Sequence, residues 1–112
     1  MKQMQTPSIA AAILLMAVGQ AAAGAMTEAK IKLFQFQPKE LTVGVGGTVT
    51  WLNGDDIEHS VTAGKPGKES GQFDSGFFKK DGSFAFTFTE AGTYTYFCKR
   101  HPSMMAKVTV TP

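Results

Sequence analysis

Cysteine, histidine and net charge are all scarce in this chain. A single cysteine among 112 residues rules out an internal disulfide. Two histidines rule out any site that needs a large imidazole cluster. Lys and Arg number 11 against 9 for Asp and Glu, a formal net charge of +2. That balance lacks the basic stripe of a nucleic-acid binder. No segment carries a convincing helical period. The uncharged apolar run from Ile9 to Val18 is also short of the roughly twenty residues that cross a bilayer. What remains is ordinary for a globular protein, with 43% hydrophobic and 11% aromatic residues, nine of them Phe. The length gives room for one domain.

The first 25 residues stand apart from the rest. Lys2 supplies a positive start, Ile9 to Val18 an apolar centre, and Ala21-Ala22-Ala23-Gly24-Ala25 a run of small residues. This is the three-part pattern of a secretory signal peptide, with cleavage expected after Ala23 or Ala25. Gln20 interrupts any continuation towards a membrane anchor. The expected destination is the periplasm, and the expected mature domain is residues 26–112, with no membrane span and as a monomer. Export to an oxidising compartment exposes a lone thiol to oxidation unless something occupies it.

The mature part alternates with period two between turn residues, which reads as an all-β domain. Ile31 and Leu33 share one face, then the apolar phase switches to Phe34 and Phe36, a pattern expected of a bulge or a strand covered on both faces. Leu41 to Val45 and Thr48 to Leu52 are strands separated by Gly46-Gly47. His59 to Thr62 is a further short strand after the loop Asn53-Gly54-Asp55-Asp56. Residues 64–82, rich in Gly and charge, form a surface excursion with a short strand near Phe73. Phe84, Phe86 and Phe88 share a face, as do Tyr94, Tyr96 and Cys98. Lys107 to Thr111 closes the domain, with Val108 and Val110 inward. Seven to eight such strands make a β-sandwich or small barrel.

The chemistry concentrates in Tyr96-Phe97-Cys98-Lys99-Arg100-His101-Pro102-Ser103-Met104-Met105. A thiolate is followed after three residues by an imidazole and after three more by a thioether. His59 lies 39 residues before Cys98. One soft thiolate, two imidazoles and a weak thioether form the ligand set of blue-copper electron-transfer sites. Cu(I) prefers sulfur and low coordination, whereas Cu(II) prefers nitrogen. A fixed site of mixed character changes little between the two states, which lowers the barrier to electron transfer. Both histidines and the one cysteine of the chain enter this set.

These residues resemble the cupredoxins, most closely their amicyanin and plastocyanin-like branch. The resemblance covers almost all of residues 30–111. Its markers are Val49-Thr50-Trp51-Leu52-Asn53, His59-Ser60-Val61, Phe73-Asp74-Ser75-Gly76-Phe77 and the Gly92-to-Cys98 approach. The compact Cys98-to-Met104 spacing is that of amicyanins. The resemblance implies a Greek-key β-sandwich holding one mononuclear type 1 copper. It also implies His59, Cys98 and His101 as strong ligands and Met104 as the axial one, with Met105 as second choice. It implies no catalysis, only exchange of single electrons between a donor and an acceptor protein, such as a c-type cytochrome or a periplasmic dehydrogenase. A periplasmic copper chaperone or buffer using the same ligands is the alternative.

Three departures from the family pattern carry expectations. Ser60 stands where Asn often ties the two ligand loops, so a looser tie is expected. Arg100 stands where amicyanins tend to have Pro, which adds a backbone N–H near the Cys98 sulfur. Lys99 and Arg100 together place positive charge beside His101, which favours an acidic partner face through on-rate.

Overall fold

The computed structural model describes residues 24–112, so almost all of the expected signal peptide lies outside the described residues. Nine strands follow in order. They are β1 (Met26–Lys32), β2 (Gln35–Gln37), β3 (Glu40–Gly44), β4 (Thr48–Asn53), β5 (Thr62–Lys65), β6 (Lys68–Asp74), β7 (Ser83–Thr87), β8 (Gly92–Phe97) and β9 (Met105–Thr111). They form a four-stranded sheet ordered β2-β1-β4-β7 and a five-stranded sheet ordered β3-β9-β8-β5-β6. The chain passes repeatedly from one sheet to the other, as a Greek-key sandwich requires. The all-β expectation holds, with more strands than expected.

The strand pattern departs from the expected one in two places. The phase switch between Ile31 and Phe36 is a chain reversal rather than a bulge. β1 ends at Lys32, and Lys32 pairs directly with Gln35 across an antiparallel hairpin. Its two turn residues, Leu33 and Phe34, have φ of 52° and 57°. This is the left-handed twist that suits a two-residue hairpin, and it ordinarily selects Gly or Asn. Each non-glycine residue in that region costs about 1–2 kcal/mol. The second place is the excursion after Gly64, where Pro66-Gly67 joins β5 to β6 in another hairpin. Gly64 sits at a bulge with φ of 110°, and a Cβ there would stand 2.6 Å from the Lys68 carbonyl oxygen.

Alternation sets the core. In β4, Val49, Trp51 and Asn53 point inward, and in β9, Val108 and Val110 do the same. Ile31, Phe36, Val49 and Phe88 are almost fully buried, and each contributes about 1.5–3 kcal/mol by leaving water. Trp51 packs edge-on to Tyr96 and donates its indole N–H to the Tyr96 hydroxyl at 3.2 Å. Burial pushes the Tyr96 hydroxyl up to about 12, and the Trp51 bond offsets part of that rise. Two ladders, β1 with β4 in one sheet and β3 with β9 in the other, are parallel. At one end of the barrel-like core, β8 stops at Phe97 and delivers Cys98 to the protein interior.

Candidate metal centre

His59 is held by a loop that the neighbouring strands organise. It does not open a strand; a single bridge to Phe78 fixes its backbone, with His59 N–H donating to Phe78 C=O and Phe78 N–H returning to His59 C=O. Asn53 sets the path into this loop. Its buried amide donates to the carbonyls of Ile57 at 3.0 Å and Phe78 at 2.9 Å, while its side-chain oxygen accepts the Asp55 N–H at 2.9 Å. Sequence reading placed Asn53 in a loop and gave it no task. The usable signal was its inward phase with Val49 and Trp51, since a buried amide must be satisfied.

His59 is fully buried, and its Nε2 lies 2.9 Å from an Asp55 carboxylate oxygen. With Nε2–H donating to Asp55, Nδ1 keeps its lone pair, and Nδ1 is 3.6 Å from the Cys98 sulfur. Burial works against ionisation of Asp55. The hydrogen bonds from Phe34, His59 and Leu33 prevail and hold its carboxyl below the usual carboxylate range.

Cys98 and Met104 bound a loop clipped by its own main chain. Cys98 N–H donates to Met104 C=O at 3.1 Å, and Met104 N–H donates to His101 C=O at 2.8 Å. Cys98 is a free thiol with no exposure, and Met104 is 4% exposed. Met105 opens β9, faces outward and is 48% exposed.

Ser60 ties the two ligand segments despite being short. Its N–H donates to the Cys98 sulfur at 3.4 Å, and its hydroxyl accepts the Lys99 N–H at 3.0 Å. The same hydroxyl lies 2.9 Å from the Thr62 hydroxyl, which donates to Asp74. Asp74 in turn binds the Lys99 ammonium at 2.6 Å, closing a ring of side chains around the root of the loop. The looser tie expected from Ser is thus compensated by Thr62 and Asp74. Burial opposes ionisation of Asp74, but the bonds from Lys99, Gly76 and Thr62 hold it below its ordinary value.

Two expectations about this loop need correction. Among the described residues, the amide donated to the Cys98 sulfur is that of Ser60, not that of Arg100. The Lys99 ammonium is engaged by Asp74 and lies 3.7 Å from Glu69, so it is not a free charge beside His101. Internal ion pairing has taken half of the expected positive rim.

The ligand atoms of His59, Cys98 and His101 all lie within 4.8 Å of one another. His101 Nδ1 is buried and has no hydrogen-bond partner. A buried unpartnered polar atom is costly, and with its lone pair free a cation at the point shared with the His59 Nδ1 and Cys98 sulfur would satisfy it. Phe34 closes the other side, with its ring centroid 4.9 Å from that of His101 and 5.6 Å from that of His59. The donor set, soft sulfur with two imidazoles, fits one type 1 copper.

Comparison with known proteins agrees with this geometry. A family model described as copper binding proteins, plastocyanin/azurin family, matches residues 22–111. Amicyanin of Paracoccus denitrificans is 42% identical over 82 residues, which cover 71% of this chain and 61% of that protein. Amicyanin-alpha of Methylorubrum extorquens is 37% identical over 101 residues, covering 89% of this chain and 83% of the relative. The chain thus spans about three fifths of the Paracoccus protein. Among solved structures, a purple cupredoxin from Nitrosopumilus maritimus superposes with a TM-score of 0.70 at 30% identity, over 76% of this chain and 99% of that one. A reduced amicyanin mutant gives a TM-score of 0.68 at 37% identity, over 78% and 82%. With its two-sheet sandwich and its His-Cys-His cluster, the chain belongs to the plastocyanin/azurin family of copper-binding proteins, in the amicyanin and plastocyanin branch.

Proposed function

We propose that this protein is a periplasmic electron carrier that cycles one copper ion between Cu(I) and Cu(II) and performs no catalysis of its own. The carrying observation is the convergence of His59, Cys98 and His101, with Met104 buried at the return of the same loop. Copper, when bound, supplies the one-electron couple. The residues of the chain fix the surroundings of that couple. Cys98 presents sulfur with the Ser60 N–H against it, which favours the electron-rich state. His59 presents Nδ1 in the tautomer that Asp55 selects. Met104 would supply the weak thioether to the copper, and its burial beside the exposure of Met105 supports that choice.

Donor and acceptor are redox proteins of the kind of a c-type cytochrome or a periplasmic dehydrogenase. They meet a monomeric carrier at the His101 end. Arg100, exposed and without an ion pair among the described residues, supplies the attraction for an acidic partner face. Export by the N-terminal segment brings the protein to the periplasm. The Ala25 carbonyl accepts the Thr48 N–H at 2.9 Å, extending the β1–β4 ladder, which favours cleavage after Ala23 over cleavage after Ala25.

The test is an absorption spectrum of the mature domain titrated with Cu(II) and then reduced with ascorbate. An intense blue thiolate-to-copper band, saturating at one equivalent and bleaching reversibly, is the expected result. Colourless copper retention would overturn the carrier reading in favour of a copper chaperone or buffer.

A further inference from the structure

The sheet edge formed by β1 and β2 contributes no ligand, yet it reaches the metal centre through one carboxylate and one aromatic ring. Asp55 accepts three donors. Its Oδ1 takes the Leu33 N–H at 2.8 Å, and its Oδ2 takes the Phe34 N–H at 2.9 Å and the His59 Nε2 at 2.9 Å. Leu33 and Phe34 are the two left-handed residues of the hairpin turn, and neither is a residue that chooses this conformation unaided. The turn therefore rests on Asp55. It also carries the Phe34 ring that packs against both imidazoles. Leu33, by contrast, is 72% exposed and adds no wall to the site.

We infer that Asp55 is a positioning residue that couples the Leu33–Phe34 turn to the metal ligand His59, so that metal loading and turn order each strengthen the other. The inference rests on the copper reading of the His59, Cys98 and His101 cluster. One anion fixes the imidazole tautomer and anchors the turn, so a shift at either end is felt at the other through a shared oxygen. Reciprocity follows from linkage: whatever factor the metal adds to turn order, turn order adds to metal affinity. Phe34 makes the coupling spatial as well as electrostatic, because its ring follows the turn and closes the space beside His59 and His101.

The experiment compares the mature domain with Asp55→Asn, Leu33→Gly and the double variant, each copper-free and loaded with Cu(I) or Cu(II). Amide hydrogen exchange at Leu33 and Phe34 reads the turn; the Cu(II) electron paramagnetic resonance spectrum and the copper dissociation rate read the ligand. In the unsubstituted protein, Cu(I) loading is expected to slow exchange at both amides. Asp55→Asn is expected to speed that exchange even without copper, and to weaken copper retention about tenfold or more, the usual cost of losing a group that orients a metal-bound histidine. Glycine at position 33 takes the left-handed conformation freely. The double variant should therefore regain turn protection while its Cu(II) spectrum stays altered, which separates anchoring of the turn from orientation of the imidazole.

Exchange at Leu33 and Phe34 that is indifferent to both copper and Asp55→Asn would overturn the coupling. So would a Cu(II) spectrum and dissociation rate unchanged by Asp55→Asn. Absence of a blue band in the unsubstituted protein would instead defeat the carrier reading, while the copper-free exchange still reports on the turn.

Discussion

The two segments that bring ligands to the centre are built on opposite plans. The segment ending at His59 is held by side chains from elsewhere: Asn53 spans its bend, Asp55 grips the imidazole, and Phe78 clamps the backbone. The loop from Cys98 to Met104 is held by its own main chain and, at its root, by Ser60. The difference shows at the two imidazoles. His59 has both nitrogens accounted for by the protein, whereas His101 leaves a buried Nδ1 without a partner. One ligand is placed by the fold, and the other is completed by what it binds.

Substituting each histidine in turn should expose this difference most visibly. In the copper-free protein, His59→Ala removes a fully buried ring and one of the three donors of Asp55, for an expected loss of roughly 2–3 kcal/mol. His101→Ala removes an unpartnered nitrogen from a half-buried ring and should change copper-free stability by less than about 0.5 kcal/mol. Thermal or denaturant unfolding of the two apoproteins checks this. Equal losses would show that the loop is prearranged as firmly as the His59 segment. Copper retention should collapse in both.

A smaller effect is expected at the tie between the segments. Ser60→Ala leaves the Lys99 N–H and the Thr62 hydroxyl each short of a partner, worth about 1–2 kcal/mol in unfolding. The loss should also appear as a broadened Cu(II) resonance spectrum, because the root of the Cys98 loop gains freedom. An unchanged spectrum would place the rigidity of that loop in its main-chain clips alone.

The smallest effect concerns acid. Asp74 has a folded value below its ordinary one, so its stabilisation is complete above about pH 4. It is lost as pH falls through the depressed folded value. Asp74→Asn should lower copper-free stability modestly at neutrality, as befits a half-exposed ion pair, and that deficit should disappear as pH falls through the depressed folded value, leaving a flatter acid limb. Identical acid limbs would assign the acid sensitivity to other carboxylates.

How far the sequence foretold this arrangement follows from the range of the forces involved. Strands such as Thr48 to Leu52 and Lys107 to Thr111 were legible because burial imposes period two on neighbouring residues. His59, Cys98 and His101 were legible as candidates because scarce residue types fell into one chemically consistent set, and the structure brings them together. The turn at Leu33–Phe34 was read as a bulge or a strand covered on both faces because its two residues carry no turn signature. The reason for their conformation, Asp55, lies 22 and 21 positions away. The same holds for Lys99, whose neutralising partner Asp74 is 25 positions distant. Side-chain bonds across such separations leave no periodic mark, so charge counting along the loop overstated what the surface offers.

The pairing of β3 with β9 has a consequence in time. A chain is made from its N-terminus, and Glu40 must wait for Lys107 before that ladder can form. Met104, whose carbonyl receives the Cys98 N–H, immediately precedes the same last strand. The cysteine is therefore among the last groups to be shielded. Its period of greatest vulnerability to oxidation falls before the C-terminal strand docks, whatever protection the finished sandwich later gives.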